Sequence, residues 1–360
     1  MKEEPFRNVY FTGIVRDKLG RKMSKTLGNS PNPLDLIEKY GADAVRLGML
    51  LCSSAGNDIL YDETQVEQGR NFCGKIWNSF RLVNGWTVDA EAAQSEACAA
   101  AVRWFENKLS QTIEVVEDHY SKFRISDALM AIYKLFWDEY CSWSLEAIKP
   151  AYGAGIDKAT YEATLSFFEK LLKMIHPIMP FITEELWQAL ETREEGQTIM
   201  YASTPAAGKV DEDVIARFAV ACDTVIGVRN VRAQKNLSPR EALKVKVDAA
   251  YPISEAPVVE KLANVEISVG EGEGTGVSFM VGTNKVFVAL EGLVNADEER
   301  AKLEADLAHQ EKFLASVRAK LSNEKFVAHA PEQVVAVEKK KEADALARIE
   351  SIKASLANLK

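Results

Sequence analysis

No uninterrupted apolar run in this sequence approaches the roughly 20 residues that a membrane-spanning helix needs. The N-terminus also lacks the basic-then-apolar pattern of a secretory signal. Cys52, Cys73, Cys98, Cys141 and Cys222 are widely scattered, and no Cys-x-x-Cys pair occurs. That spacing argues against both a zinc site and a disulfide framework. A cytoplasmic protein with no metal site and no membrane partner is therefore expected. Histidine is scarce as well, with only His119, His176, His309 and His329. Positive charge is not in excess either. A formal net charge of −9 does not advertise a nucleic-acid partner, so any RNA-binding face must gather its basic residues locally.

What is present is an ordinary globular composition, 47% hydrophobic and 27% charged, in 360 residues. That length allows two or three domains with real cores. The segment Gly20-Arg21-Lys22-Met23-Ser24-Lys25-Thr26-Leu27-Gly28-Asn29 is the most informative. Two lysines flank Met-Ser, a hydroxyl residue follows, and glycines bracket the whole. Ammonium groups, hydroxyls and free backbone N–H groups can grip a polyphosphate as its charge shifts. A solvated basic loop is the plainer alternative.

The surroundings are read as follows. Val9–Val15 has the look of a buried strand, and Asn32 can cap a helix that starts at Pro33. Gly41 can end that helix, and Asp43–Cys52 restarts another. From about Thr64 to Glu195 the pattern is helical. Gln65–Trp86 is the cleanest amphipath, with Val66, Phe72, Cys73, Ile76, Trp77, Phe80 and Val83 on one side. Arg70, Asn71, Lys75, Asn78 and Arg81 fall on the other with no acid among them, which is either an RNA-facing stripe or a solvated face. Further helices are expected at Ala99–Phe123, Ser126–Ala147, Lys158–Ile175 and Ile178–Leu190, making an antiparallel bundle. Its aromatics, Trp104, Tyr133, Phe136, Trp137 and Tyr140 among them, read mostly as core. His176, before Pro177, reads as a packed or capping residue.

After Pro205 the texture changes. A helix over Asp211–Ala233 carries Arg229 and Arg232, open to RNA contact or simple solvation. Strands are expected at Leu243–Val247, Val265–Val269, Val277–Val281 and Val286–Leu290, with a short helix at Val258–Leu262. The last stretch has Leu303, Leu307, Leu314, Val317 and Leu321 at three-four spacing, then a connector and a second, weaker seam. That suggests an antiparallel coiled-coil hairpin. Lys339 and Lys340 are candidates for RNA contact on it, or ordinary solvated positions.

Taken together these motifs resemble the C-terminal part of the valyl-tRNA synthetases. The resemblance is carried by Lys22-Met23-Ser24-Lys25-Thr26, by Tyr40-Gly41-Ala42-Asp43-Ala44-Val45-Arg46, and by Arg70-Asn71-Phe72 with Lys75-Ile76-Trp77-Asn78. His176-Pro177-Ile178-Met179-Pro180-Phe181-Ile182-Thr183 and the terminal hairpin with Lys320–Val327 at its tip extend it. Isoleucyl relatives commonly end instead in a cysteine-rich zinc module. Thr26 stands where the family usually has serine, which keeps the hydroxyl.

The resemblance implies a mainly α chain in four parts. Residues 1–63 would be the tail of a Rossmann-type catalytic domain with the lysine loop, and 64–204 an anticodon-binding helical bundle. Residues 205–292 would be a helix plus a small α+β module, and 293–360 a coiled-coil tRNA-binding arm. It also implies the ligation of valine to its tRNA through a valyl-adenylate made from ATP with Mg2+. Lys25 is then the main catalytic and ATP-binding candidate, assisted by Lys22, with Met23, Ser24 and Thr26 in the ATP-binding loop. The candidate tRNA contacts are Arg70, Asn71, Lys75, Asn78, Arg81, Arg229, Arg232, Lys339 and Lys340. The family's His-x-Gly-His signature is nowhere among the four histidines. The valine pocket and editing domain are thus expected upstream, and this chain is expected to be inactive alone and monomeric. The other possibility is a non-catalytic RNA-binding adaptor descended from such an enzyme.

Overall fold

The computed structural model describes residues 6–11, 13–53, 57–292 and 296–322, with backbone alone over 296–303, and helical positions at 337, 341, 342, 345, 346, 349, 352, 353 and 356. It falls into two compact units, Met1–Phe218 and Ala219–Lys360.

The first unit opens with β1 (Val15–Arg16), followed by α1 (Pro33–Tyr40) and α2 (Ala42–Leu51) and then β2 (Ile59–Leu60), which pairs with β1 in parallel. Asn32 caps α1 by accepting the Leu34 N–H at 3.2 Å, and Gly41 turns the chain into α2 with φ of +91°. The longer strand expected over Val9–Val15 does not form. A strand needs a neighbour, and β2 offers one only two residues long, so Val9, Phe11 and Ile14 remain exposed.

α3 (Glu63–Asn84) starts at Asp62, whose carboxylate accepts the Thr64 N–H at 3.0 Å. Val66, Phe72, Ile76, Phe80 and Val83 are buried as the periodicity implies, but Trp77 is 42% exposed. It sits at the rim of the apolar face, its ring 6.3 Å from that of Phe80. β3 (Val88–Asp89) leads into α4 (Glu96–Ser121) and α5 (Ile125–Lys134). α5 then widens into a π-helical stretch, Leu135–Ser144, and closes as α6 (Leu145–Ile148), where a plain α-helix was expected. β4 (Ile156–Asp157) pairs with β3, and Asp157 caps α7 (Lys158–Ile175). α8 (Pro180–Leu190) completes the bundle. Its core is aromatic: Phe72 meets Phe136 at 5.5 Å, and Phe105 meets Tyr140 and Phe167, each at 5.1 Å.

α9 (Glu212–Lys235) begins in the first unit, where Phe218 stacks on Trp104 at 4.0 Å, and continues into the second. There β5 (Leu243–Val247), α10 (Ala256–Ala263), β6 (Val265–Val269), β7 (Gly276–Val281) and β8 (Asn284–Ala289) follow. The sheet order is β6-β5-β8-β7, with β5 and β6 parallel across the α10 crossover and the other pairs antiparallel. Gly282, φ +59°, makes the two-residue turn between β7 and β8. Leu243, Val245, Val247, Val286 and Val288 are buried on one face, while Lys244, Lys246, Lys285 and Phe287 occupy the other.

α11 (Ala296–Leu321) is one side of the terminal arm. Arg318 pairs with Glu342 at 2.7 Å and Glu311 with Lys353 at 3.4 Å. Sequence number falls on one side as it rises on the other, so the two segments run antiparallel. Leu314, Ala345 and Ile349 form their buried seam. Positions 323–327 of the expected tip lie outside the described residues. Among the described residues no helix is long and apolar enough to cross a membrane.

Candidate nucleotide loop and nucleic-acid interface

Asp17 organises the lysine loop from its base. Its Oδ1 accepts the N–H groups of Leu19 (3.0 Å) and Arg21 (2.8 Å). Its Oδ2 accepts Arg21 Nε at 2.7 Å and Asn29 Nδ2 at 3.0 Å. Donors from Asn29 first, then Arg21, pull the Asp17 carboxyl down to about 2. Asn29 closes the other end, donating also to the Lys22 carbonyl (3.2 Å) and accepting the Ser24 N–H (2.9 Å). Ser24 Oγ accepts the Thr26 N–H at 3.2 Å, a local turn that shapes the tip. Gly20 (φ +75°) and Gly28 (φ +64°) stand at the two bends.

Within this frame the candidates divide. Met23 is half-buried and lines the cavity beneath the loop with Leu19, Pro31 and Tyr61. Ser24 is also half-buried, while Lys22, Lys25 and Thr26 are exposed. Among the described residues neither Lys22 nor Lys25 takes part in an ion pair. The base is further tied to the bundle helix α3, because Lys18 pairs at 2.7 Å with its capping residue Asp62.

Two motifs about 135 residues apart are halves of one clasp. Asp43 on α2 is buried, and its carboxylate accepts the N–H groups of Phe181 (3.3 Å) and Ile182 (2.7 Å) at the start of α8. That caps the helix and places negative charge at its positive end. Arg46, one turn on, donates to the carbonyls of Ile178 (2.8 Å) and Pro177 (3.0 Å). His176 contacts Thr183 Oγ1 through Nδ1 at 2.7 Å, and Thr183 donates to the Met179 carbonyl. Burial lowers the His176 pKa. This is a structural histidine at a helix junction.

Four of the five candidate residues on α3 share one groove, which Lys39, Tyr40 and Glu67 also line. Arg70, Asn71 and Asn78 are exposed and Lys75 is half-buried along it. Trp137, from the π-helical stretch, lines the same groove, with Lys75 Nζ 5.3 Å from its ring centroid. Tyr133 stacks on Trp137 at 5.6 Å and 15°. Basic groups, amides and a braced aromatic plane are what an unpaired nucleotide needs. Sequence spacing did not single out Trp137, because it is partly buried and shares the helical spacing of its core neighbours. Arg81 is exposed at the C-terminal end of α3, outside the groove.

The second basic row does not behave as one surface. Arg229 is exposed and donates to the Leu262 carbonyl at 3.1 Å. Arg232 is only 5% exposed, and its guanidinium donates to the carbonyls of Ser238, Glu241, Ala263 and Asn264 at 2.7–3.0 Å. It fastens α9 to the loops around β5 and β6 and has no face left for RNA. Lys339 and Lys340 lie outside the described residues.

Three family models match the chain. The class I tRNA synthetase model (I, L, M and V) covers residues 1–62, and the anticodon-binding domain of tRNA ligase covers 102–247. The valyl tRNA synthetase tRNA binding arm covers 295–360. The chain is 55% identical to the valine–tRNA ligase of Phocaeicola vulgatus and 53% identical to that of Bacteroides thetaiotaomicron, in each case over 99% of this chain and 41% of the relative. The Fusobacterium nucleatum enzyme is 35% identical over 99% of this chain and 42% of its own length. A solved LeuRS from Agrobacterium radiobacter K84 aligns with 59% of this chain and 25% of its own, at 24% identity and a TM-score of 0.43. Loop, bundle and arm are therefore those of a class I aminoacyl-tRNA synthetase. Within that class the chain belongs to the valyl-tRNA synthetase family, corresponding to its C-terminal region. It spans about 41% of the length of the curated relatives it matches.

Proposed function

We propose that this chain is the part of a valine–tRNA ligase that supplies the ATP-gripping lysine loop and the tRNA-binding surfaces. The observation that carries the reading is the loop itself. Two ammonium groups that are in no ion pair among the described residues, Lys22 and Lys25, stand on a base fixed by Asp17 and Asn29. When valine attacks the α-phosphate of ATP, negative charge grows on the phosphate oxygens and the leaving pyrophosphate. Lys25, with Lys22, stabilises that charge from a position set in advance. Thr26 adds a hydroxyl at the exposed tip, while Met23 and Ser24 hold the loop's shape. Among the described residues no group of three or more His, Cys, Asp or Glu could hold a metal ion.

The division of labour follows the four segments 1–63, 64–204, 205–292 and 293–360; the match boundaries at 62 and 295 support the outer two divisions, while the anticodon-binding match, 102–247, runs across the division at 204. The bundle takes the anticodon stem-loop of valine tRNA along the α3 groove, and the arm takes a more distant part of the same RNA. Valine binding and editing belong to the remaining length of the enzyme. The whole acts as a cytoplasmic monomer.

The test uses the chain within its full-length enzyme. Lys25→Ala lowers valine-dependent exchange of pyrophosphate into ATP by about 100- to 1,000-fold while the Kd for valine tRNA stays unchanged. Exchange that is indifferent to Lys25 would overturn the role given to the loop, and a full-length protein that binds valine tRNA but shows no exchange would favour a tRNA-binding adaptor instead.

A further inference from the structure

The α+β module holds a cavity that the lysine loop and the α3 groove do not use. Beyond the carboxyl ends of the parallel strands β5 and β6 lies a cavity of about 630 Å³ lined by Lys246, Asp248, Gly270, Gly272, Lys285 and Phe287. Lys246 and Phe287 are cross-strand partners, and Lys285 is two residues from Phe287, so all three occupy the face opposite the buried valines. The floor is firm. A Cβ on Gly272 would stand 2.1 Å from Phe287 Cγ, and one on Gly276 2.3 Å from its Cζ, so the glycine-rich turn lies directly on the ring.

Asp248 is held in place because its Oδ2 accepts the Lys285 backbone N–H at 2.8 Å. Its Oδ1 is buried and accepts nothing from the described protein. Neither lysine ammonium is in an ion pair among the described residues. A buried carboxylate oxygen without a donor is costly, and two unpaired lysines beside it are inviting to anions. A simple anion would meet Asp248, and a simple cation would meet both lysines. A ligand that joins a phosphate to a hydroxyl donor a few ångströms away satisfies all three groups. Glu271 stays exposed at the rim.

We propose that this cavity is a ribose-phosphate subsite for RNA, in which Lys246 and Lys285 hold a backbone phosphate and the Asp248 carboxylate, pivoting on its Oδ2 bond to the Lys285 N–H so that the donor-free Oδ1 turns into the cavity, accepts the adjacent ribose 2′-hydroxyl. The 2′-hydroxyl is the group that separates RNA from DNA. The inference rests on the tRNA reading above and adds a contact in a module to which that reading assigned none.

The test is 2′-deoxy interference with the full 360-residue chain and a valine tRNA transcript carrying randomly placed deoxynucleotides. The wild-type chain excludes deoxy substitution at a specific nucleotide from the bound fraction. In Asp248→Asn, which keeps an oxygen for the Lys285 N–H but turns the other group into a donor, that exclusion disappears. Lys246→Gln with Lys285→Gln lowers the slope of log affinity against log salt by about one to two. Thermal unfolding unchanged in both variants shows that the module still folds. Binding that falls with Arg70→Ala and Lys75→Ala but ignores all three cavity changes would overturn this subsite alone. A wild-type chain that binds no tRNA at low salt would overturn the subsite and the tRNA reading together.

Discussion

Asp17 commits both carboxylate oxygens to the base of the lysine loop, and its pKa records how firmly. An unperturbed aspartate titrates near 3.9; here the carboxyl is held at about 2 by Asn29 and Arg21. A depressed folded pKa means the anchorage is fully present above the ordinary carboxylate range. It is lost as pH falls from about 4 through 2. The Asp17 side-chain carbon followed by NMR should therefore titrate with a midpoint near 2, and a midpoint near 4 would mean that the loop base is open in solution. Arg232 makes a second residue-scale case. Arg232→Met leaves buried carbonyls without their donor and should cost about 2–3 kcal/mol, read from faster hydrogen exchange of the β5–β8 amides. Arg229→Ala, which loses a single bond at an exposed site, should cost under about 1 kcal/mol. The two arginines look alike in sequence, three residues apart on one helix. Only the carbonyls brought by distant loops tell them apart.

At the scale of elements, α3 contains its own control experiment. A Cβ on Gly69 would stand 2.4 Å from the Ala44 carbonyl oxygen, whereas one on Gly74 meets nothing within 4 Å. Both glycines weaken the helix by about 1 kcal/mol relative to alanine. Gly74→Ala should then stabilise by about 0.5–1 kcal/mol, while Gly69→Ala should destabilise by about 1–3 kcal/mol because α2 must move away. Chemical denaturation followed by tryptophan fluorescence reads this directly, since all six tryptophans precede residue 219. The Asp43 cap is open to the same measurement: Asp43→Ala removes two acceptors from the start of α8 and should cost about 1–2 kcal/mol.

Helices of this kind were legible because local signals agree. Asn32 with Pro33, and the apolar spacing along Lys158–Ile175, need no tertiary information. The π-helical stretch was not legible, because Phe136, Tyr140 and Ser144 at four-residue spacing suit an ordinary turn equally well. The strand over Val9–Val15 failed for the opposite reason. Its residues have strand propensity, but pairing partners decide whether a strand exists.

For the molecule as a whole, Lys22–Thr26 and the α3 stripe were legible as candidate contacts because chemistry at short spacing needs no fold to be recognised. The long-range ties were not. The Asp43–Arg46 clasp, Trp137 beside Lys75 and the orphan oxygen of Asp248 all depend on residues far apart in sequence. The central claim is that an acidic chain carries local surfaces that grip one particular tRNA. Titrating the chain with valine tRNA, isoleucine tRNA and a valine tRNA with its anticodon exchanged addresses it most directly. Tighter, salt-sensitive binding of the intact valine tRNA, weakened by the anticodon exchange and by Arg70→Ala with Lys75→Ala, is the expected result. Equal binding of all three RNAs, or none at low salt, would contradict it.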